Sequence, residues 1–456
     1  MPFVPSDLGE FSGELSSLPD SISVESEGPR RRRRIVQILT SFFLGQGAAQ
    51  GISLLAGLFL VHTLSVEAYA QFGLATGFQS LFSVLMDFGF ASTIIPMVGE
   101  QRDDLALIGR YVRSAKHMRD LAFWTIAPVT VVAFLFIMHK QHWSLTIQLL
   151  LLGSVLLALY SGGKVSYYSA PLFIFGRLRE YYGPQIVLGA GRLLAYVGLE
   201  FVGGLNAWTA AALSALNITV NGSWLGKKSR PYLKWPEKED PATDRELIHY
   251  ILPAAPAMIF AAFQSQITLF LVSIFGRSVD IAQVAALGRI GQLFSVLMTF
   301  NMIVVEPYIA RLSRERLLST YLKFLLLASA ASTPVVLVAF SWPRAYLWLL
   351  GSKYEILGGL LGWVVFASCL NYIAGLMWIM NRARKWIFWS GSALEVCLLL
   401  VLQTAYIICI GVKTTRQAIF LTFAMSFCYL IAHGYVSVYG FIKGPRIMKD
   451  ASISSS

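Results

Sequence analysis

The sequence predicts an all-α polytopic membrane protein of about twelve transmembrane helices, arranged as two pseudo-symmetric six-helix bundles. Three observations carry that expectation: an apolar composition, a set of long apolar runs, and a self-match near half the chain length. Hydrophobic residues make up 56% and charged residues 14% of the 456 residues. A soluble domain carries about 25% charge. Mean hydropathy is +0.61. The self-match is Leu81-Phe82-Ser83-Val84-Leu85-Met86, repeated as Leu293-Phe294-Ser295-Val296-Leu297-Met298 at an offset of 212 residues. Ala70-Gln71 and Ala282-Gln283 share the offset, as do Phe88 and Phe300. A fixed offset points to a duplicated unit.

A span needs roughly 20 apolar residues. Twelve runs meet that length, at about 35–62, 69–98, 121–138, 145–175, 184–203, 208–226, 248–276, 281–309, 321–342, 354–380, 387–410 and 417–441. The expected organisation comes from them. Residues 1–34 are a disordered acidic tail ending in the basic block Arg30 to Arg34. Residues 35–226 are the first six-helix bundle and 227–247 a linker. Residues 248–441 are the second bundle and 442–456 a tail. Residues 1–29 carry Asp7, Glu10, Glu14, Asp20, Glu25 and Glu27 with no base, the reverse of a signal peptide. Between the second and third spans, Leu105, Ile108, Val112 and Ala115 recur at helical spacing. They suit either a helix lying on the membrane surface or an extension of the neighbouring span.

The basic residues orient these spans. Of 37 Lys and Arg, 28 fall on the side of the N-terminus and six on the other. That asymmetry puts both termini in the cytoplasm. It also accounts for the net charge of +12 without nucleic acid as a partner. Six spans separate the two repeat copies, so the halves run in the same orientation, as in transporters built from two parallel repeats around a central cleft. Cys369, Cys397, Cys409 and Cys428 all fall in apolar runs without metal-ligand spacing, and read as small hydrophobic residues.

Ionisable groups inside spans are costly and point to function. They are Asp87, Lys164, Arg192 and Glu200 in the first half, and Arg289, Glu306 and Glu395 in the second. At about 1.5 Å per residue, Asp87, Lys164 and Arg192 are expected at one level in the cytoplasmic half of the membrane, with Arg289 nearer the outer side. Glu395 is a candidate proton or sodium site. Asp87 aligns with Thr299 across the repeat, so an asymmetric cavity, more charged in the first half, is expected.

The stretch from Leu58 to Gly73, with Glu67-Ala68-Tyr69-Ala70, and then Met86-Asp87-Phe88-Gly89-Phe90-Ala91, resembles the start of a polysaccharide flippase. Leu252-Pro253 is similar to the opening of that family's seventh span. His62 stands where that family commonly has Arg, and Ala70 where Gly is usual. The family is the Wzx-type branch of the multidrug/oligosaccharidyl-lipid/polysaccharide (MOP) exporter superfamily, with a MOP/MATE-like fold. The resemblance implies flipping of a polyprenyl-pyrophosphate-linked oligosaccharide across the bacterial inner membrane for surface polysaccharide biosynthesis. The expected mechanism is ion-coupled alternating access. Its implied partners are the lipid-linked glycan, membrane lipids, a polysaccharide polymerase and glycosyltransferases. On that reading Lys164 and Arg192 meet the pyrophosphate, because a guanidinium binds phosphate oxygens in pairs. Asp87 holds those cations when the cavity is empty, Arg289 gives a second anion contact, and Glu395 couples the ion.

The chain has no Gly-x-x-x-x-Gly-Lys phosphate loop and no loop long enough for a catalytic domain. No enzyme, catalytic residue, metal or cofactor is therefore expected. The competing reading within the same superfamily is a multidrug/cation antiporter, which a deep acidic cavity would favour.

Overall fold

Every long apolar run forms a helix. The computed structural model describes the backbone of residues 28–453 apart from 92, 99–100, 102, 237–239, 253–254, 311 and 387. It describes side chains within 44–443, apart also from 96, 255–257, 296, 303 and 307. The acidic tail expected over residues 1–27 lies outside the described residues.

In chain order the helices are α1 (Gly28–Thr63), α2 (Val66–Asp87), α3 (Ile94–Val98), α4 (Leu105–Lys140), α5 (Leu145–Ile174), α6 (Leu178–Phe201), α7 (Ala207–Ser229) and α8 (Pro241–Ile251). Next come α9 (Ala255–Phe275), α10 (Ser278–Phe300), α11 (Glu306–Ala310), α12 (Arg314–Ser341), α13 (Arg344–Leu350), α14 (Gly358–Ala383), α15 (Trp389–Cys409) and α16 (Thr415–Ile453). Twelve of these, among the described residues, have 21 residues or more, and each overlaps one expected span. Among the described residues, nine segments are both long and apolar enough to cross a membrane. The long helices outside that set are α2, α6 and α7, which carry charged or amide side chains within their length. The chain is an all-α polytopic membrane protein.

Packing separates Met1–Ile274 from Phe275–Ser456. The division differs from the six-and-six partition at residues 226 and 248, because α9 falls with the first unit. Its Phe270 ring stacks edge-on to Phe78 of α2 at 4.9 Å, and its Ser273 carbonyl accepts from Gln141 Nε2 at 2.9 Å.

Local chemistry sets the helix ends. Asp104 caps α4 by accepting from the backbone N–H of Ala106 and Leu107 at 2.9 and 3.0 Å. The amphipathic segment before the third span is continuous with it in one helix, Leu105–Lys140. α1 likewise starts at Gly28, so the basic block belongs to the first helix and not to the tail. The second run, expected as one span over 69–98, is broken after Asp87. Phe88 takes a left-handed conformation (φ 48°) and Gly89 comes next at φ 79°. Its repeat partner has no such break. From Phe300 the helix passes through a π-helical segment, Asn301–Val305, into α11.

The linker is ordered where described and docks on the α4 extension. Asp240 caps α8, accepting from Ala242 N–H at 3.0 Å and Thr243 Oγ1 at 2.7 Å. Tyr111 donates to Glu246 at 3.0 Å, His117 and Ser114 both reach Asp244, and Arg113 donates to the Pro236 carbonyl at 2.7 Å. Leu233 and Leu247 join Ile108, Tyr111, Val112, Tyr167 and Ile94 in one buried cluster. Gly109 permits the closest approach: a Cβ there would lie 1.9 Å from the Lys234 carbonyl oxygen.

Candidate functional site

The first unit buries an arginine that falls just before the third expected span. Arg119, on α4, is 4% exposed. Its Nη1 donates to the Ser83 carbonyl of α2 at 3.0 Å, and its Nη2 to the Leu159 carbonyl of α5 at 3.2 Å. It lies flat on Gly163, where a Cβ would meet its Cγ at 2.8 Å and its Nε at 2.9 Å. Asp87 sits in its field and hydrogen-bonds to Ser166 of α5. One guanidinium thus ties three helices together through main-chain oxygens. The cost of burying it falls because Asp87 supplies the opposite charge. The signal was present in the sequence: Arg119 continues the steps of Ile108, Val112 and Ala115, at four-, three- and four-residue spacing, and so their buried stripe.

The structure does not bring Asp87, Lys164 and Arg192 together. Asp87 faces Arg119. Lys164 lies on the side of α5 that meets α7, its Cβ 2.8 Å from where a Cβ of Gly222 would stand. Arg192 is on α6, between two contacts with α7: Asn217 Nδ2 donates to the Leu188 carbonyl at 2.6 Å, and the Tyr196 hydroxyl meets Ser214 Oγ at 2.7 Å. Arg192 is thus opposite residues near Ser214, about two turns from Gly222, or roughly 11 Å along α7. The levels differ because α6 starts at Leu178, six residues before the expected span, so Arg192 stands further along its helix. Arg192 Nε is buried without a hydrogen-bond partner among the described residues.

In the second unit α10 exposes two adjoining stripes. Gly288, Gln292, Ser295 and Thr299 recur at helical spacing on one, with Gly288, Gln292 and Ser295 exposed and Thr299 half-buried. Leu293, Leu297 and Phe300 form the other, all exposed. Arg289, half-buried, falls at the seam between them, and its Nη1 donates to Gln292 Oε1 at 3.3 Å. Asn301, at the start of the π-helical segment, is 3% exposed with its Nδ2 unpaired among the described residues.

Glu395 is buried on α15 at 4% exposure, close to Tyr429 of α16. Contacts on either side hold that helix pair: Tyr435 donates to Ser390 at 3.3 Å, and Gln403 Nε2 meets Met425 Sδ at 3.5 Å. Glu306 is no cavity group. It forms a two-pronged ion pair with Arg382, at 2.9 Å (Nε–Oε1) and 2.5 Å (Nη2–Oε2), and Arg382 also lies 4.6 Å over the Trp378 ring. Glu200 is exposed near the end of α6. Cys369 and Cys428 are buried, whereas Cys397 and Cys409 are exposed along α15. Among the described residues no group of three His, Cys, Asp or Glu side chains is placed to hold a metal ion.

No family model and no curated protein sequence matches the chain. Solved structures do. The chain is similar to the lipid II flippase MurJ in an inward closed conformation, with TM-score 0.64 and 13% identity, over 88% of this chain and 89% of that one. It is similar to an inward-facing multidrug resistance MATE family transporter of the MOP superfamily, with TM-score 0.59 and 13% identity, over 91% and 96%. A Vibrio cholerae MATE transporter matches with TM-score 0.56 and 14% identity, over 91% and 97%. At these identities the likeness shows the fold: a MOP-like helical membrane fold spanning nearly the whole chain.

Proposed function

We propose that the protein is an inner-membrane flippase that carries a polyprenyl-pyrophosphate-linked oligosaccharide to the outer leaflet by ion-coupled alternating access. The observation that carries this reading is α10. A polar stripe beside an apolar stripe, with a cation at the seam, suits a substrate whose glycan and lipid are joined by an anionic pyrophosphate. Arg289 is assigned to that pyrophosphate, since charge-assisted contacts to phosphate are the strong ones. Arg192, with a donor to spare, is a second anion contact within the first unit. Asp87 is assigned to holding Arg119 in place, and Glu395 to ion coupling. Both termini are assigned to the bacterial cytoplasm from the Lys and Arg distribution. A polysaccharide polymerase and glycosyltransferases act before and after the transport step.

Reconstitution tests this reading. A fluorescent polyprenyl-pyrophosphate oligosaccharide is placed in vesicles with and without the protein, and its exposure to a membrane-impermeant quencher is measured over time. Faster exposure with the protein is expected. Arg289→Ala is expected to slow it at least about tenfold, the loss of one charge-assisted contact. Absent translocation, with gradient-driven efflux of a cationic dye instead, sinks the flippase and leaves the antiporter. That second reading draws support from the MATE neighbours.

A further inference from the structure

Lys164, half-buried beside Gly222 of α7, lies at one end of the exposed face of α5. Along that helix Leu149, Leu150, Leu157 and Tyr160 are 52%, 41%, 39% and 42% exposed. At 100° per residue these four and Lys164 fall within one arc of about 100°. Leu159, Gly162, Gly163 and Ser166, on the opposite arc, face Arg119 and Asp87. A continuous exposed strip of leucine on a membrane helix faces lipid, so Lys164 ends a lipid-facing groove. Its walls carry the same signature. On α4, Leu121 and Trp124 are exposed, and on α7, Leu216 and Val220.

At the linker end of this groove the chemistry changes to cations and aromatics. Lys164 Nζ stands 5.3 Å over the Tyr160 ring. One turn further, Tyr168 packs on Gly226 of α7 and 6.3 Å from Trp235, within electrostatic reach of Lys116 and Arg230. Lys227 and Lys228 are exposed at the end of α7. The acid in this cluster, Asp120, is paired with Lys116 at 2.6 Å. Apolar walls leading to a net positive, aromatic-lined end match an amphiphile with an anionic head.

We propose that this groove between α4 and α7 binds an anionic phospholipid of the leaflet at the linker end, its phosphate held by Lys164, Lys116 and Arg230 and its acyl chain along Leu157 and Leu150. Bound there, the lipid joins the membrane-embedded part of α5 to the docked linker, since Tyr168 and Trp235 belong to one on each side. The site lies on the outside of the first unit and does not depend on the transport reading.

The test is lipid binding to the purified full chain by native mass spectrometry in detergent. Phosphatidylglycerol and phosphatidylcholine are titrated against wild type, Lys164→Gln and Arg230→Gln. Preference for phosphatidylglycerol is expected in wild type, with binding about fivefold weaker in each variant, as for loss of one cation at a membrane surface. Arg230 is exposed, so its variant reads the site even if Lys164→Gln fails to fold. Lys164→Arg is expected to retain binding. Equal binding of both lipids by wild type overturns the proposal, as does unchanged phosphatidylglycerol affinity in a folded variant. Polyprenyl pyrophosphate displacing phosphatidylglycerol at equimolar ratio also overturns it, by making the groove a substrate site.

Discussion

The two copies of Leu-Phe-Ser-Val-Leu-Met end differently. In α2 the helix stops one residue beyond the copy, at Asp87, and a left-handed Phe88 turns the chain away. In α10 the helix runs on through a π-helical segment, and the first residue of that segment, Asn301, keeps an unpaired amide nitrogen among the described residues. The shared residues are largely apolar, but Leu81, Phe82 and Met86 are buried in α2 while Leu293 and Leu297 are exposed in α10. The residues just beyond each copy decide how each unit closes. The first unit uses Arg119, bound to main-chain oxygens of two other helices with Asp87 nearby. The second uses a direct side-chain pair, Glu306 with Arg382, while Arg384 donates to the carbonyls of Ala310 and Leu312 at 3.2 Å. The two copies share residues, but both their burial and their polar closure differ. The lower apolarity of α2, α6 and α7, all in the first unit, belongs to the same divergence.

If that contrast is right, Arg119→Met has the largest effect. It leaves the half-buried Asp87 without its cation and is expected to cost about 3–5 kcal/mol. Arg382→Met is expected to cost less, because Arg382 keeps 10% exposure against 4% for Arg119 and its place is more readily filled by water. Thermal unfolding of the purified variants in one detergent compares them. Equal losses would remove the distinction between the two closures.

The docked linker sharpens the comparison next, because it belongs to the first unit. Gly109→Ala sets a Cβ against the Lys234 carbonyl and is expected to destabilise the docked state by about 1–3 kcal/mol. Limited proteolysis across residues 230–251 reads it, with faster cleavage expected and the second unit unchanged.

The smallest effect is a pH dependence at α8. The Thr243 hydroxyl first, and then the Ala242 N–H, hold the Asp240 carboxyl below its ordinary value of 3.8. A depressed carboxyl stabilises the fold fully above the unfolded value, and that contribution is lost as pH falls through the folded value. Protection of α8 amides, corrected for intrinsic exchange, is therefore expected to be flat above about pH 5 and to fall below about pH 4. Asp240→Asn is expected to flatten that dependence. A wild-type profile matching the variant's would show that the cap contributes nothing.

Helix number, helix positions and the site of duplication were legible in the chain, because membrane burial demands runs of about 20 apolar residues and the repeat lay in the letters themselves. Arg119 was half legible. Its stripe was visible, but it falls just before the third expected span and so is not counted among the charges inside spans. The levels of Lys164 and Arg192 were not legible, since counting residues from a span's end assumes every helix starts at the same depth. The side a residue faces was legible only within a helix: the leucines that share an arc of α5 with Lys164 were there to be read, but their exposure depends on where α4 and α7 stand.

The sequence by itself determined the class of fold, because the solvent of a membrane protein constrains composition over long stretches and needs no knowledge of neighbours. Only the tertiary structure decided the partners. Asp87 meets Arg119 because Gly163 leaves a flat surface for the guanidinium. α9 packs with the first unit because Phe270 finds Phe78. Lys164 packs beside α7 because Gly222 leaves room for its Cβ. Each of these is a contact between residues far apart in the chain, and such contacts leave no periodic trace in either segment alone.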